Sequence, residues 1–144
     1  MDAKEKTTNT VRPKIVVIDD DRQYLQELQE ILELSGYETV VFSNPEAALK
    51  MIQRIKPQLL LLDLKMDNKN GFEVAKEIKF FPDSDKLPII AITGFYTQKE
   101  YRLLITSFGM KDCLLKPFQP LDLISRIERY LNRNSSAHEN MNTN

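Results

Sequence analysis

Five short apolar runs, Lys14 to Ile18, Thr39 to Phe42, Leu59 to Leu62, Pro88 to Ile92 and Cys113 to Leu115, alternate with segments whose apolar residues recur every three or four positions. The runs are mostly continuous rather than alternating, which suits strands covered on both faces. The intervening stripes have helical spacing: Leu25, Leu28, Ile31 and Leu32; Ala48, Met51, Ile52 and Ile55; Phe72, Ala75 and Ile78; Tyr101, Leu104, Ile105 and Phe108; Leu121, Ile124, Ile127 and Leu131. Parallel neighbours need crossover connections, so this alternation constrains the chain to an α/β fold, a doubly wound parallel sheet with five strands and five helices. Punctuation agrees with it. Gly36 follows Ser35 as a helix stop, Asn44-Pro45 supplies a cap and first turn, Gly109 ends the fourth stripe and Pro120 stands near the start of the last.

Three of these runs end in charge. Asp19-Asp20-Asp21 follows the first, Asp63 the third and Lys116-Pro117 the fifth. In open parallel sheets the carboxyl edge of the strands is where ligands bind. A group of carboxylates with one lysine at that edge suggests a divalent metal and a phosphoryl group. Asp21 reads as the cap of the helix from Arg22 to Ser35.

The chain of 144 residues suits one domain, and 42% hydrophobic with 28% charged residues is the composition of a globular protein. With 20 basic and 21 acidic residues, there is no electrostatic case for direct contact with nucleic acid or an anionic membrane. Single-cysteine usage, Cys113, excludes an intrachain disulfide and fits a reducing interior. The start of the chain lacks the apolar core of a signal peptide and no segment is apolar enough to insert in a membrane, so the expected location is cytoplasmic. Residues 1–12 and 134–144, rich in Lys, Thr, Asn, Ser and Glu, read as disordered tails around a domain at 13–133.

The ordered set of an acidic cluster after the first strand, Asp63-Leu64-Lys65-Met66 after the third, Thr93-Gly94 after the fourth and Lys116-Pro117-Phe118 after the fifth resembles the receiver domain of two-component response regulators. Gly71, eight positions after Asp63, also stands where receivers usually keep a glycine. The resemblance covers about Lys14 to Arg133. It implies a flavodoxin-like three-layer sandwich with strand order 2-1-3-4-5. It further implies that Asp63 is the phosphoacceptor, forming an acyl phosphate, and that Asp20, Asp63 and the Lys65 backbone carbonyl hold Mg2+ while Asp19 assists through water. Lys116 and the Thr93 hydroxyl would contact the phosphoryl group, with space left by Gly94.

Elementary electrostatics agrees with a metal. Two carboxylates about 5 Å apart repel by roughly 3 kcal/mol at an effective dielectric of about 20. Three converging carboxylates raise one another's pKa unless a cation sits among them, and magnesium prefers such oxygen ligands.

Two positions depart from the family pattern. Asp67 replaces the proline that often follows Met66, which suggests a less rigid loop from Lys65 to Asn70. Cys113 stands where receivers commonly carry a tyrosine or phenylalanine that swings inward on activation, so the usual aromatic switch is not expected here. The bland reading of Cys113, a small buried strand residue, is preferred to a redox role. Met66 and Phe118 read as packing residues.

His138, in the polar C-terminal stretch, has no scaffold that presents it for phosphotransfer. The resemblance therefore implies an external donor, a sensor histidine kinase or a histidine phosphotransfer protein. No output domain follows Arg133, which implies output to a downstream protein target or a receiver excised from something longer. Tyr101, Arg126 and Arg129 are the candidate readers on the surface of the fourth and fifth helices.

Two alternatives are weighed against this reading. One is a docking module that works without phosphate. The other is a phosphohydrolase similar to the haloacid dehalogenase superfamily, using Asp19 as nucleophile and Asp21 as its partner. That reading leaves Asp63 unexplained and finds no paired acidic motif after Lys116.

Overall fold

The computed structural model describes the backbone of residues 11–94 and 99–143, with the side chains of 99–101 and 132–143 outside the description. In chain order the elements are β1 (Lys14–Ile18), α1 (Arg22–Leu34), β2 (Glu38–Phe42), α2 (Pro45–Ile55), β3 (Leu59–Asp63), α3 (Gly71–Ile78), a 3-10 turn (Ser84–Lys86), β4 (Ile89–Thr93), α4 (Lys99–Ser107), β5 (Asp112–Leu115) and α5 (Pro120–Thr143). The strands form one parallel sheet in the order β2-β1-β3-β4-β5. This is the expected doubly wound order.

Alternate strand residues feed two separate cores. Val16, Ile18, Leu60, Leu62 and Ala91 pack against Ala48, Leu49 and Ile52 of α2, Phe72, Val74, Ala75 and Ile78 of α3, and Ile105 of α4. Ile15, Val17, Leu59, Leu61, Ile90 and Ile92 pack on the opposite face against Leu25, Leu28 and Leu32 of α1 and Leu123 and Ile127 of α5. Burial on both faces accounts for the continuous apolar runs, because each strand must be hydrophobic at odd and even positions alike.

Two stripes differ from the sequence reading. In α2, Leu49 is buried while Met51 is partly exposed; in α5, Leu123 is fully buried while Leu121 is 81% exposed. Leu123 and Ile127 lie four residues apart on the sheet-facing line, and Leu121 falls off it in the first turn. The side chain of Tyr101 lies outside the described residues. The backbone of α5 continues helically past Arg133, where the sequence contains no glycine or proline that would stop it.

Register places the charged residues. Ile18 pairs with Leu62, so Asp19 and Asp63 emerge side by side from adjacent strands at the carboxyl edge. Thr93 pairs with Leu115, which brings Lys116 up beside the end of β4. The reversal of strand order between β1 and β3 makes this edge the crevice of the fold.

Candidate functional site

The crevice is anchored by caps and close backbone contacts. The Asp21 carboxylate caps α1 by accepting from the Tyr24 N–H at 3.1 Å. Asn70 and Glu73 form a reciprocal capping box that fixes the start of α3. Gly71 begins that helix pressed against the end of β3, and its N–H donates to the Leu64 carbonyl at 2.9 Å. A Cβ there would stand 2.4 Å from the Asp63 carbonyl oxygen and 2.8 Å from Leu64 Cα. Only glycine lets this helix end approach so closely, which explains the residue at this spacing from Asp63.

Asp19, Asp20 and Asp63 converge, each offering a carboxylate oxygen within 4.8 Å of the others. Asp19 and Asp63 are buried, Asp20 is exposed, and Thr93 is completely buried. The Lys116 ammonium lies 2.9 Å from Asp19 Oδ2 and 3.7 Å from Asp63 Oδ1. The other Asp19 oxygen accepts the Asp21 N–H at 2.9 Å. Lys116 also donates its backbone N–H to the Thr93 carbonyl at 2.8 Å, and the Lys116–Pro117 peptide is cis.

Charge in this pocket is under-compensated. Burial, then the Asp19 charge, pushes the Asp63 carboxyl up to about 7, against the opposing pull of Lys116 and of the Lys65 backbone hydrogen bond. With all groups ionised, three carboxylates against one ammonium leave two negative charges. The donor set therefore fits a hard divalent cation, which prefers oxygen and offsets that surplus.

The loop after β3 is tied down despite having no proline after Met66. The Asp67 N–H donates to Asp20 Oδ2 at 3.0 Å, a bond that proline could not make. Lys69 pairs with Glu46 of α2 at 3.1 Å and with Glu77 of α3. The looser loop expected from Asp67 is thus countered by an amide bond and a three-residue charge cluster. At the end of β4, a Cβ on Gly94 would meet Lys116 Cβ at 3.8 Å, so a methyl group fits and a longer side chain would crowd the lysine.

Cys113 is half-buried in β5, and burial, then the Asp112 charge, pushes its thiol up to about 11. A thiol so placed stays protonated at neutral pH, which favours the packing reading. Beside it lies a cavity of about 380 Å3 lined by Arg102, Thr106, Lys111, Asp112 and Arg126 among others. Arg126 donates to Asp112 Oδ1 at 3.0 Å and to the Cys113 carbonyl at 2.9 Å. Of the basic candidates, Arg126 is therefore committed inward, whereas Arg129 is more exposed and only 3.8 Å from Asp112.

One aromatic residue at the site was missed by the sequence reading. Tyr24, in the first turn of α1, places its ring centroid 4.2 Å from the Lys116 ammonium. Its position one turn after the acidic cluster was the available signal.

A family model described as the response regulator receiver domain matches residues 15–128. The chain is 32% identical over 133 residues to the DNA-binding response regulator MtrA of Mycobacterium tuberculosis, covering 92% of this chain and 57% of that protein. It thus spans a little over half the length of that relative. An uncharacterized 14.6 kDa protein of Leptolyngbya boryana is 35% identical over 116 residues, covering 81% of this chain and 88% of that one. Among solved structures, a CheY-like response regulator receiver domain protein from Methanospirillum hungatei superposes with a TM-score of 0.78 at 26% identity, covering 88% of this chain and 99% of that one.

Proposed function

The chain belongs to the response regulator receiver family, and on that premise we propose that it takes a phosphoryl group onto Asp63 from a partner histidine kinase or histidine phosphotransfer protein, in a Mg2+-dependent transfer that switches a protein-interaction surface. Response regulators act with histidine kinases in two-component signalling, and this chain is a signalling protein of that class. The supporting observation is the pocket in which Asp19, Asp20 and Asp63 meet within 4.8 Å, bridged by Lys116.

Asp20, Asp63 and the Lys65 carbonyl are the groups we assign to hold Mg2+, with Asp19 acting through water. Both Asp19 oxygens already have partners, in Lys116 and the Asp21 N–H, which supports its more distant role. When bound, Mg2+ supplies positive charge to the phosphoryl oxygens and to the crowded carboxylates.

The remaining chemistry belongs to the chain's own residues. A carboxylate oxygen of Asp63 attacks phosphorus, the bond from phosphorus to the donor's imidazole nitrogen breaks, and the electron pair leaves with the imidazole. Lys116, already 3.7 Å from Asp63, turns from Asp19 toward the transferring group and neutralises its charge. The Thr93 hydroxyl donates to a phosphoryl oxygen from the end of β4. The chain's catalysis is confined to its own phosphorylation and slow dephosphorylation.

The added charge at Asp63 then favours one arrangement of the loops after β3 and β4, which the face formed by α4, β5 and α5 reports to a downstream protein. Arg129 and Arg102 are its outward basic groups, and at position 113 of β5 a cysteine stands in place of an aromatic ring. We take 13–133 as the receiver unit, with 1–12 and 134–144 as its flanks, and place the protein in the cytoplasm. Among the described residues no helix is long and apolar enough to cross a membrane. DNA binding is named for MtrA as a whole protein; for this chain we propose protein contacts rather than nucleic acid, given its net charge of -1.

A phosphohydrolase built on Asp19 is the weaker reading, since that carboxylate is 2% exposed and engaged at both oxygens. Incubation with Mg2+ and acetyl phosphate, followed by intact mass, tests the proposal. Gain of one phosphoryl group that is lost in Asp63→Asn is the expected result. No gain in the unmodified sequence would favour a docking module that works without phosphate.

A further inference from the structure

We propose that Tyr24 is a positioning residue for Lys116, its ring face forming a platform that holds the ammonium where it can pass from Asp19 to a phosphoryl group on Asp63. This rests on the reading of Lys116 as the group that meets the phosphoryl.

The geometry is that of one cation with three partners. Lys116 Nζ lies 2.9 Å from Asp19 Oδ2, 3.7 Å from Asp63 Oδ1 and 4.2 Å from the centroid of the Tyr24 ring. The ring is itself braced. Phe118, two residues beyond Lys116, meets it edge-on, with centroids 6.2 Å apart and planes at 78°. Both aromatic residues are partly buried against the core shared by α1 and α5, so neither ring is a free surface group. The Asp21 cap fixes the turn from which Tyr24 projects.

Lysine carries its charge on a flexible four-carbon stem, so holding the ammonium in one place has an entropic cost. Asp19 alone could hold it, but a carboxylate competes with the incoming phosphoryl for the same charge. An aromatic face attracts a cation through its quadrupole and leaves the hydrogen-bonding directions of the ammonium open. The ammonium can therefore pivot over the ring while exchanging one anionic partner for another. Tyr24 also stays a neutral phenol. Burial, then the charges of Asp19 and Asp63, raises its hydroxyl above the usual tyrosine range.

A residue that only filled space would need volume and no face. The test therefore compares Tyr24→Phe, which keeps the face, with Tyr24→Leu, which keeps apolar bulk without it. Two measurements are made on the full chain: the rate of Asp63 phosphorylation by acetyl phosphate with Mg2+, and the NMR shifts of the Lys116 side-chain methylene protons, assigned with Lys116→Arg. The unmodified protein and Tyr24→Phe are expected to show those protons moved upfield by the ring and to phosphorylate within about twofold of each other. Tyr24→Leu is expected to lose the shift and to react about three- to tenfold more slowly.

An unshifted Lys116 in the unmodified protein overturns the proposal whether or not any variant folds. So does a Tyr24→Leu rate equal to the original, or a Tyr24→Phe rate as slow as that of Tyr24→Leu. Failure of the unmodified protein to take a phosphoryl group, with the ring shift present, would instead overturn the function proposed for Asp63 and Lys116.

Discussion

Replacing Asp63 by asparagine is expected to stabilise the protein in the absence of divalent cations, and to do so only above acidic pH. Asp63 is raised from an ordinary 3.8 to about 7, first by burial and then by Asp19. At about 1.4 kcal/mol for each tenfold change in proton affinity, that displacement corresponds to an upper figure of about 4 kcal/mol. The sign follows from proton counts. Below the unfolded value both states carry the proton, and no cost arises. Between 3.8 and about 7 the unfolded chain has lost a proton that the folded chain keeps, so stability falls steadily as pH rises. Above that window the full cost remains.

Asparagine removes the charge but leaves Lys116 with one fewer carboxylate, so a net gain of about 1–3 kcal/mol near pH 8.5 and little change near pH 3.5 is expected. Urea unfolding followed by far-UV circular dichroism, in chelator and at both pH values, measures it. The unmodified protein should recover much of the same stability on adding Mg2+, and Asp63→Asn should recover less. A variant that is no more stable near pH 8.5, or equally stabilised at both pH values, would refute the electrostatic reasoning.

Further expectations concern the surroundings of that carboxylate. Asp67→Pro deletes the amide donor to Asp20 Oδ2 and should lower stability by about 1 kcal/mol in urea unfolding, while Asp67→Ala, which keeps the amide, should lie within about 0.5 kcal/mol of the original. Gly71→Ala drives a methyl carbon against the Asp63 carbonyl and Leu64 Cα and should cost about 2–3 kcal/mol, with loss of Asp63 phosphorylation by acetyl phosphate. The Cys113 thiol, raised to about 11, should react with iodoacetamide at least about tenfold more slowly in the folded protein near pH 8 than in urea, the difference narrowing as pH rises toward that value.

The site was legible where chemistry coincides with strand ends. Asp19, Asp63, Thr93 and Lys116 each close an apolar run, and once the sheet is parallel their register brings them to one edge. Asp21 was legible for a local reason, as a cap, whereas Gly71 was legible only through the family resemblance, and the structure explains its spacing by backbone contact. What remained hidden depends on the phase of a helix or on groups common to every residue. Tyr24 meets Lys116 only because the first turn of α1 aims its ring across the crevice. The Asp67 amide carries no side-chain signature, and the sequence suggested only the missing proline. Leu121 and Leu123 compete for one stripe, which only packing against the sheet decides.

The position of the acyl phosphate tests the account most directly. After incubation with acetyl phosphate and Mg2+, borohydride reduction converts a phosphorylated aspartate to homoserine, which peptide mass mapping locates. The expected result is homoserine at Asp63 alone, absent when Mg2+ is chelated. Homoserine at Asp19, or at no position in a folded sample, would contradict it.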